Sequence, residues 1–204
     1  YENRGEKLGV AKTDLNDRIA EKIEEAELDP DQAALLDKLL GKDYEVITAD
    51  ERLDKIAADF VDHCATRWES GKSLFVCIDK ITCARMHQMI VPRWRAKAAE
   101  VRAAADAKQA EADTTADETM RAVLAEEAQV LDAQATWLEE TIVEIIISEA
   151  QNEVADFKKW GVDIIPHRAL MKQGFDTGNG ERIDVETAFK NPKHPFRVAI
   201  VCAM

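Results

Sequence analysis

The residues best able to do chemistry are a lysine behind a glycine, an acidic strand end, an Asp-Thr-Gly triplet and four histidines. Gly71-Lys72-Ser73 has the ending of a phosphate-cradling Walker A loop. Such a loop needs another glycine five residues earlier, and that position is Thr66. It also follows a strand and opens a helix, whereas this one follows a helical pattern and opens a strand. Lys72 is therefore expected as a strand-edge lysine. Ile147-Ser148-Glu149-Ala150 resembles a Walker B strand end, but Ser148 stands where the magnesium-coordinating Asp is needed, so a polar switch at a strand mouth is expected. Asp176-Thr177-Gly178 matches the aspartic protease triplet. That chemistry requires two such loops in an all-β chain, and the pattern here is mostly helical. His63, His87, His167 and His194 include no pair at zinc spacing, and His63 and Cys64 point in different directions from a helix, so no metal ligand is expected.

The elements that would position these residues follow from composition and periodicity. A length of 204 residues suits one or two domains, and 46% hydrophobic with 33% charged residues is the balance of a globular chain. The net charge of −13 argues against a protein that coats nucleic acid, while leaving room for a local basic face. No apolar run approaches membrane-spanning length and YENRGEKLG has no signal-peptide core. Cys64, Cys77, Cys83 and Cys202 show no paired spacing, which points to free thiols in a reducing, cytoplasmic compartment.

Residues 1 to 71 read as a helical lead-in. Leu15, Ile19 and Ile23 form one stripe; Asp29 and Pro30 start a second helix carrying Leu35, Leu36, Leu39 and Leu40. Thr48 and Glu51 make a capping box for a third helix, whose inward face holds Leu53, Ile56, Ala57, Phe60 and Cys64. Three apolar runs read as strands: KSLFVCID at 72 to 79, IVEIIIS at 142 to 148 and FRVAIVCAM at 196 to 204. The last, with Val198, Ile200 and Val201 and no charge after Arg197, has the character of a strand covered on both faces. Their alternation with helices predicts an α/β fold with a parallel sheet. Between the first two strands, Trp94, Ala98, Val101 and Ala105 on one arm face Val123, Leu124, Val130, Leu131 and Leu138 on another. This predicts an antiparallel helical hairpin inserted at about 92 to 141, with a turn at 114 to 117 and small alanines for close approach.

As an ordered set, KSLFVCIDKITCARM, IIISEAQNEVADFKKWGVDIIPHRALM and HPFRVAIVCAM closely resemble the motor–restriction subunit of type I restriction enzymes. The resemblance implies that residues 72 to 204 are part of the second RecA-like lobe of a DNA translocase, with KSLFVCIDK at motif IV and VAIVCAM leading to motif V. YENR and the helical segment to about Glu69 resemble the link between the motor lobes. The parent would be a type I site-specific deoxyribonuclease that uses ATP and magnesium to pull double-stranded DNA toward a methylase–specificity core. With no Walker A loop, nuclease motif or motif VI arginines, and motif V cut after Met204, this chain is expected to hold no cofactor and to be inactive alone. By the same resemblance Lys80, Thr82 and Arg85 after the first strand, and Gln151 and Asn152 after the second, are candidate DNA backbone contacts, supported by Lys158, Lys159, Arg168 and Lys172. Helix-start residues that satisfy backbone groups would have the same composition. The competing class is a helical protein-interaction module on a small α/β platform, the hairpin being its contact surface.

Overall fold

The computed structural model describes residues 46–202. The helices expected around residues 14 to 23 and 29 to 40 lie outside the described residues, as do positions 203 and 204 of the terminal strand. Helix α1 (Asp50–Thr66) starts one residue later than the Thr48 capping box placed it. Asp50 and Glu51 occupy its first turn, where the helix dipole favours acids. The division between two compact units, residues 1 to 57 and 58 to 204, falls inside this helix.

In the second unit a 3-10 turn (Trp68–Ser70) leads to β1 (Ser73–Cys77), α2 (Lys80–Thr114), α3 (Glu118–Glu140) and β2 (Ile142–Ile146). Then come α4 (Glu153–Lys159), α5 (Ile165–Gln173), the short β3 (Phe175–Asp176) and β4 (Arg182–Ile183), α6 (Val185–Lys190) and β5 (Phe196–Cys202). The chain is thus mixed α/β and mostly helical. The three apolar runs are the three strands of one parallel sheet, in the order β1-β5-β2. The final strand inserts between the two earlier ones, and five of its seven residues are buried. Both faces of β5 are therefore covered, as its uncharged run after Arg197 requires.

A β-bulge between Ile142 and Val143 places Phe196 opposite Ile142 and Val198 opposite Val143. The extra residue turns Phe196 to the face of Ala199 and Val201, where Phe175, Leu170, Ala188 and Phe189 close over it. Helices α5 and α6 belong to this layer. Helix α2 packs along all three strands and takes the other face, that of Val198 and Ile200. Edge strand β1 is covered unequally. Phe75 meets Phe60 edge-on at 4.9 Å, while Leu74 and Val76 remain more than half exposed.

Two helices depart from the expected plan. The crossover after β1 is one 35-residue helix that runs through Pro92, so the hairpin is an extension of the crossover helix rather than a separate insertion. Pro92 is exposed, and water can reach the carbonyl that loses its helical partner there. Helix α5 begins within the VDIIPHR stretch, which the sequence pattern marks only as a short segment after the stop at Gly161; Pro166 in its first turn is a start signal, since an N–H there has no helical acceptor. Its end depends on Gly174, which has φ +72° and sits so close to β4 that a Cβ would lie 2.1 Å from the Ile183 carbonyl oxygen.

The hairpin forms between α2 and α3, joined by a turn capped by Asp117. Its seam uses Trp94, Ala98, Val101, Ala105 and Ala112 against Leu124, Ala128, Ala135 and Leu138. Expected seam residues Val123 and Val130 are instead 47% and 54% exposed. Ala128 and Ala135 complete the three-and-four spacing with Leu124, Leu131 and Leu138, so alanine fills the second heptad position on this arm too. The Trp94 indole N–H donates to the Leu138 carbonyl oxygen at 3.0 Å, and Arg102 ties the arms through Asp132, Thr136 and Glu139.

Candidate functional site

Because the three strands are parallel, the loops after β1 and β2 leave the same edge of the sheet, on either side of β5. All five candidate DNA contacts follow these two strand ends, but their side chains differ in access. Lys80, at the start of α2, is partly exposed, and Gln151 and Asn152 are exposed. Asn152 holds φ +57°, a left-handed conformation that Asn adopts more readily than most residues. Thr82 is buried: its N–H donates to Asp79 Oδ1 at 2.7 Å and its hydroxyl to Oδ2 at 3.2 Å, which caps α2. Arg85 is also buried, with its guanidinium 4.9 Å from the centre of the half-exposed Trp160 ring. Gln88 donates to the Gly161 carbonyl oxygen at 3.1 Å, so the start of α2 is tied to the end of α4.

The supporting basic residues are unequally placed. Lys158 and Lys159 are exposed, and Lys172 pairs with Glu149. Arg168 is committed inside the fold: it donates to both oxygens of Glu153 at 2.8 and 2.7 Å and to the carbonyls of Ile147 and Ser148. Glu153 also accepts from the Ala150 N–H at 3.0 Å. Arg168 therefore shapes the loop that presents Gln151 and Asn152.

Lys72 has a structural task at the opposite edge of the sheet. Its ammonium donates to the carbonyl oxygens of Ala188, His194 and Phe196 at 2.8, 3.2 and 2.8 Å and lies 5.5 Å from the Phe189 ring centre. Burial, with the nearby Arg197 charge, pushes its pKa below the usual lysine value. With its three protons directed at three carbonyls, Lys72 does not cradle a phosphate here.

Sequence spacing gave no sign of a second cluster. His87 on α2, Glu144 on β2 and His167 on α5 converge at the free edge of β2, with one possible ligand atom from each lying within 4.8 Å of the others. His167 Nδ1 contacts Glu144 Oε1, and the two side chains are 17% and 16% exposed. The imidazoles meet edge to face at 4.7 Å, and His87 Nε2 donates to the Val143 carbonyl oxygen at 3.2 Å. Burial lowers the His87 pKa against the opposing pull of Glu144. The only signal in the sequence is Glu144, an acid in the middle of an otherwise apolar strand.

The four cysteines are free, three of them buried. A hydrogen bond with Cys77, and then burial, push the Cys83 thiol pKa far up, which keeps it an unreactive thiol. No helix among the described residues is long and apolar enough to cross a membrane. No protein-family model, curated protein or solved structure matches the chain.

Proposed function

We propose that this chain contributes the second RecA-like lobe of a DNA translocase of the type I restriction class, and that the loops after β1 and β2 meet the phosphate backbone of duplex DNA. One observation carries the reading: Lys80, Gln151 and Asn152 follow the carboxyl ends of parallel strands that flank β5. In open α/β sheets this edge is where ligands bind. An ammonium and two side-chain amides are donors suited to phosphate oxygens. Thr82 and Arg85 serve behind them, one capping α2 and the other packed on Trp160.

The residues present do not fit a complete ATP–magnesium site, because Lys72 is held by carbonyls and Ser148 offers a hydroxyl where a carboxylate is required. No hydrolytic step is assigned to them. In this reading the nucleotide is held jointly with the first lobe, the partners are double-stranded DNA and the methylase and specificity subunits, and the compartment is the cytoplasm. The test is alanine at Lys80, Gln151 and Asn152 together in the intact motor subunit. Translocation should slow with assembly retained, and K80A alone should lower the salt slope of DNA affinity by about one. Unaltered translocation by the triple variant would remove the reading, as would ATP turnover by this chain alone above a mock preparation.

A second reading rests on Met120, Val123 and Val130, which are 53%, 47% and 54% exposed along the outside of α3. Such a stripe suits a protein partner. Deleting residues 96 to 139 separates the two: lost assembly with motor activity kept favours the interaction module, and lost DNA-stimulated ATPase with assembly kept favours the motor lobe.

A further inference from the structure

We propose that His87, Glu144 and His167 bind one divalent transition-metal ion of the zinc class, which clamps the free edge of β2 between the two helical layers. The donor set decides the class. Two imidazoles and one carboxylate suit zinc and its neighbours, whereas calcium and magnesium take oxygen ligands. Zinc–nitrogen bonds of about 2.1 Å place donors on a shared ion no more than about 4.2 Å apart. The three candidate atoms already lie within 4.8 Å of one another, a difference that side-chain rotation covers.

Two further features fit a coordinated ion. The Val143 carbonyl can only accept, so His87 Nε2 carries the proton and Nδ1 keeps its lone pair. A histidine that ligates through Nδ1 is held in this way, with its second ring nitrogen donating to a backbone carbonyl. His167 Nδ1 and Glu144 Oε1 also already face each other across a single hydrogen bond. An ion between them replaces that one shared proton with two coordination bonds.

The placement gives the site its role. Strand β2 ends the sheet on this side, with α2 packed over one face and α5 over the other. The cluster takes one residue from each of these three elements, all remote in sequence, so an ion there joins both layers across an edge that no strand among the described residues covers. Three protein ligands leave a fourth position for water.

Cobalt(II), a spectroscopically visible substitute for zinc, is the probe for the full chain. One equivalent should bind with the visible d–d bands of a nitrogen–oxygen site and be displaced by zinc, and zinc should raise the melting temperature. E144Q and H167Q should each weaken binding by about 100-fold or more, beyond the 10–100-fold typical of losing an outer-shell partner. H194Q, whose histidine lies outside the cluster, should bind as the unaltered chain does. Failure of the folded chain to bind cobalt would overturn the site, as would binding unchanged in both variants. A thiolate-to-cobalt charge-transfer band would also overturn it, by placing the ion on cysteine. Where either variant fails to fold by circular dichroism, the imidazole NMR signals of the unaltered chain decide: His87 and His167 must shift with one equivalent of zinc, and unshifted signals reject the proposal.

Discussion

In the sheet, Val198 and Ile200 of β5 are buried beneath α2, far away in sequence, while in the hairpin the seam of α3 is Leu124, Ala128, Ala135 and Leu138 against one neighbouring helix. The sheet fills its interior with large side chains on both faces of one strand. The hairpin brings two backbones together over alanines and finishes the contact with exposed ion pairs such as Lys108–Glu127 and Arg102–Glu139. Each surrounding solves a different problem. A central strand can dispose of its backbone and both its faces only by being enclosed, whereas a helix satisfies its own backbone and needs to bury only one stripe. The sheet should therefore respond strongly to lost volume and the hairpin to added volume.

The sharpest way to break this contrast is I200A, which empties a fully buried position between the two layers. It should cost about 4 kcal/mol in urea unfolding; a loss under about 1 kcal/mol would mean that β5 is not the centre of the core. Next is K72M, which leaves three carbonyls without their donor while keeping much of the side-chain volume. It should cost about 2 kcal/mol. A135L tests the hairpin from the other side, because Ala135 is fully buried and a larger side chain must separate the helices. An overpacking loss of about 2 kcal/mol is expected, and a gain in stability would show the seam to be loose.

A smaller effect should follow pH. His194 Nδ1 accepts from the Phe196 N–H at 3.1 Å, and burial, then the Lys72 and Arg197 charges, lowers its pKa from the ordinary 6.5. The folded chain thus resists a proton that the unfolded chain accepts. The contribution of His194 is present in full above about pH 6.5 and falls as pH drops through that value toward the lower folded pKa. Urea midpoints measured between pH 7.5 and 5.5 should fall less steeply in H194Q than in the unaltered chain. The smallest effect is expected at Val130, 54% exposed on the outer face of α3. V130A should change stability by less than about 0.5 kcal/mol, and a larger loss would return Val130 to the seam.

How much was legible from sequence follows the same division. The three strands could be read because β-branched apolar runs of that length bounded by turn residues have few other uses. The hairpin could be read from its heptads, but the choice of seam could not: Val123 and Val130 have the same spacing as the leucines, and only the partner helix selects Ala128 and Ala135 beside them. Helix α5 does not emerge from the short VDIIPHR segment by pattern, although Pro166 in its first turn is a start signal. At the site, all five DNA candidates follow strand ends as expected, yet composition could not distinguish exposed Gln151 and Asn152 from buried Thr82 and Arg85. The cluster around Glu144 left one local trace, an acid within an otherwise apolar strand.

By itself the sequence determined the local matters: which runs become strands, where Asp79 and Asp117 start helices, that the arms between β1 and β2 are helical, and that no cysteine pair is spaced for a framework. These follow from periodicity and from side chains acting on their own backbone within a few residues. Tertiary structure alone decided the insertion of β5 between β1 and β2, the commitment of Lys72 to three carbonyls more than 110 residues away, and the meeting of His87 with His167 across the β2 edge. Each joins groups remote along the chain, so it depends on which elements pack together and carries no periodicity for the sequence to display.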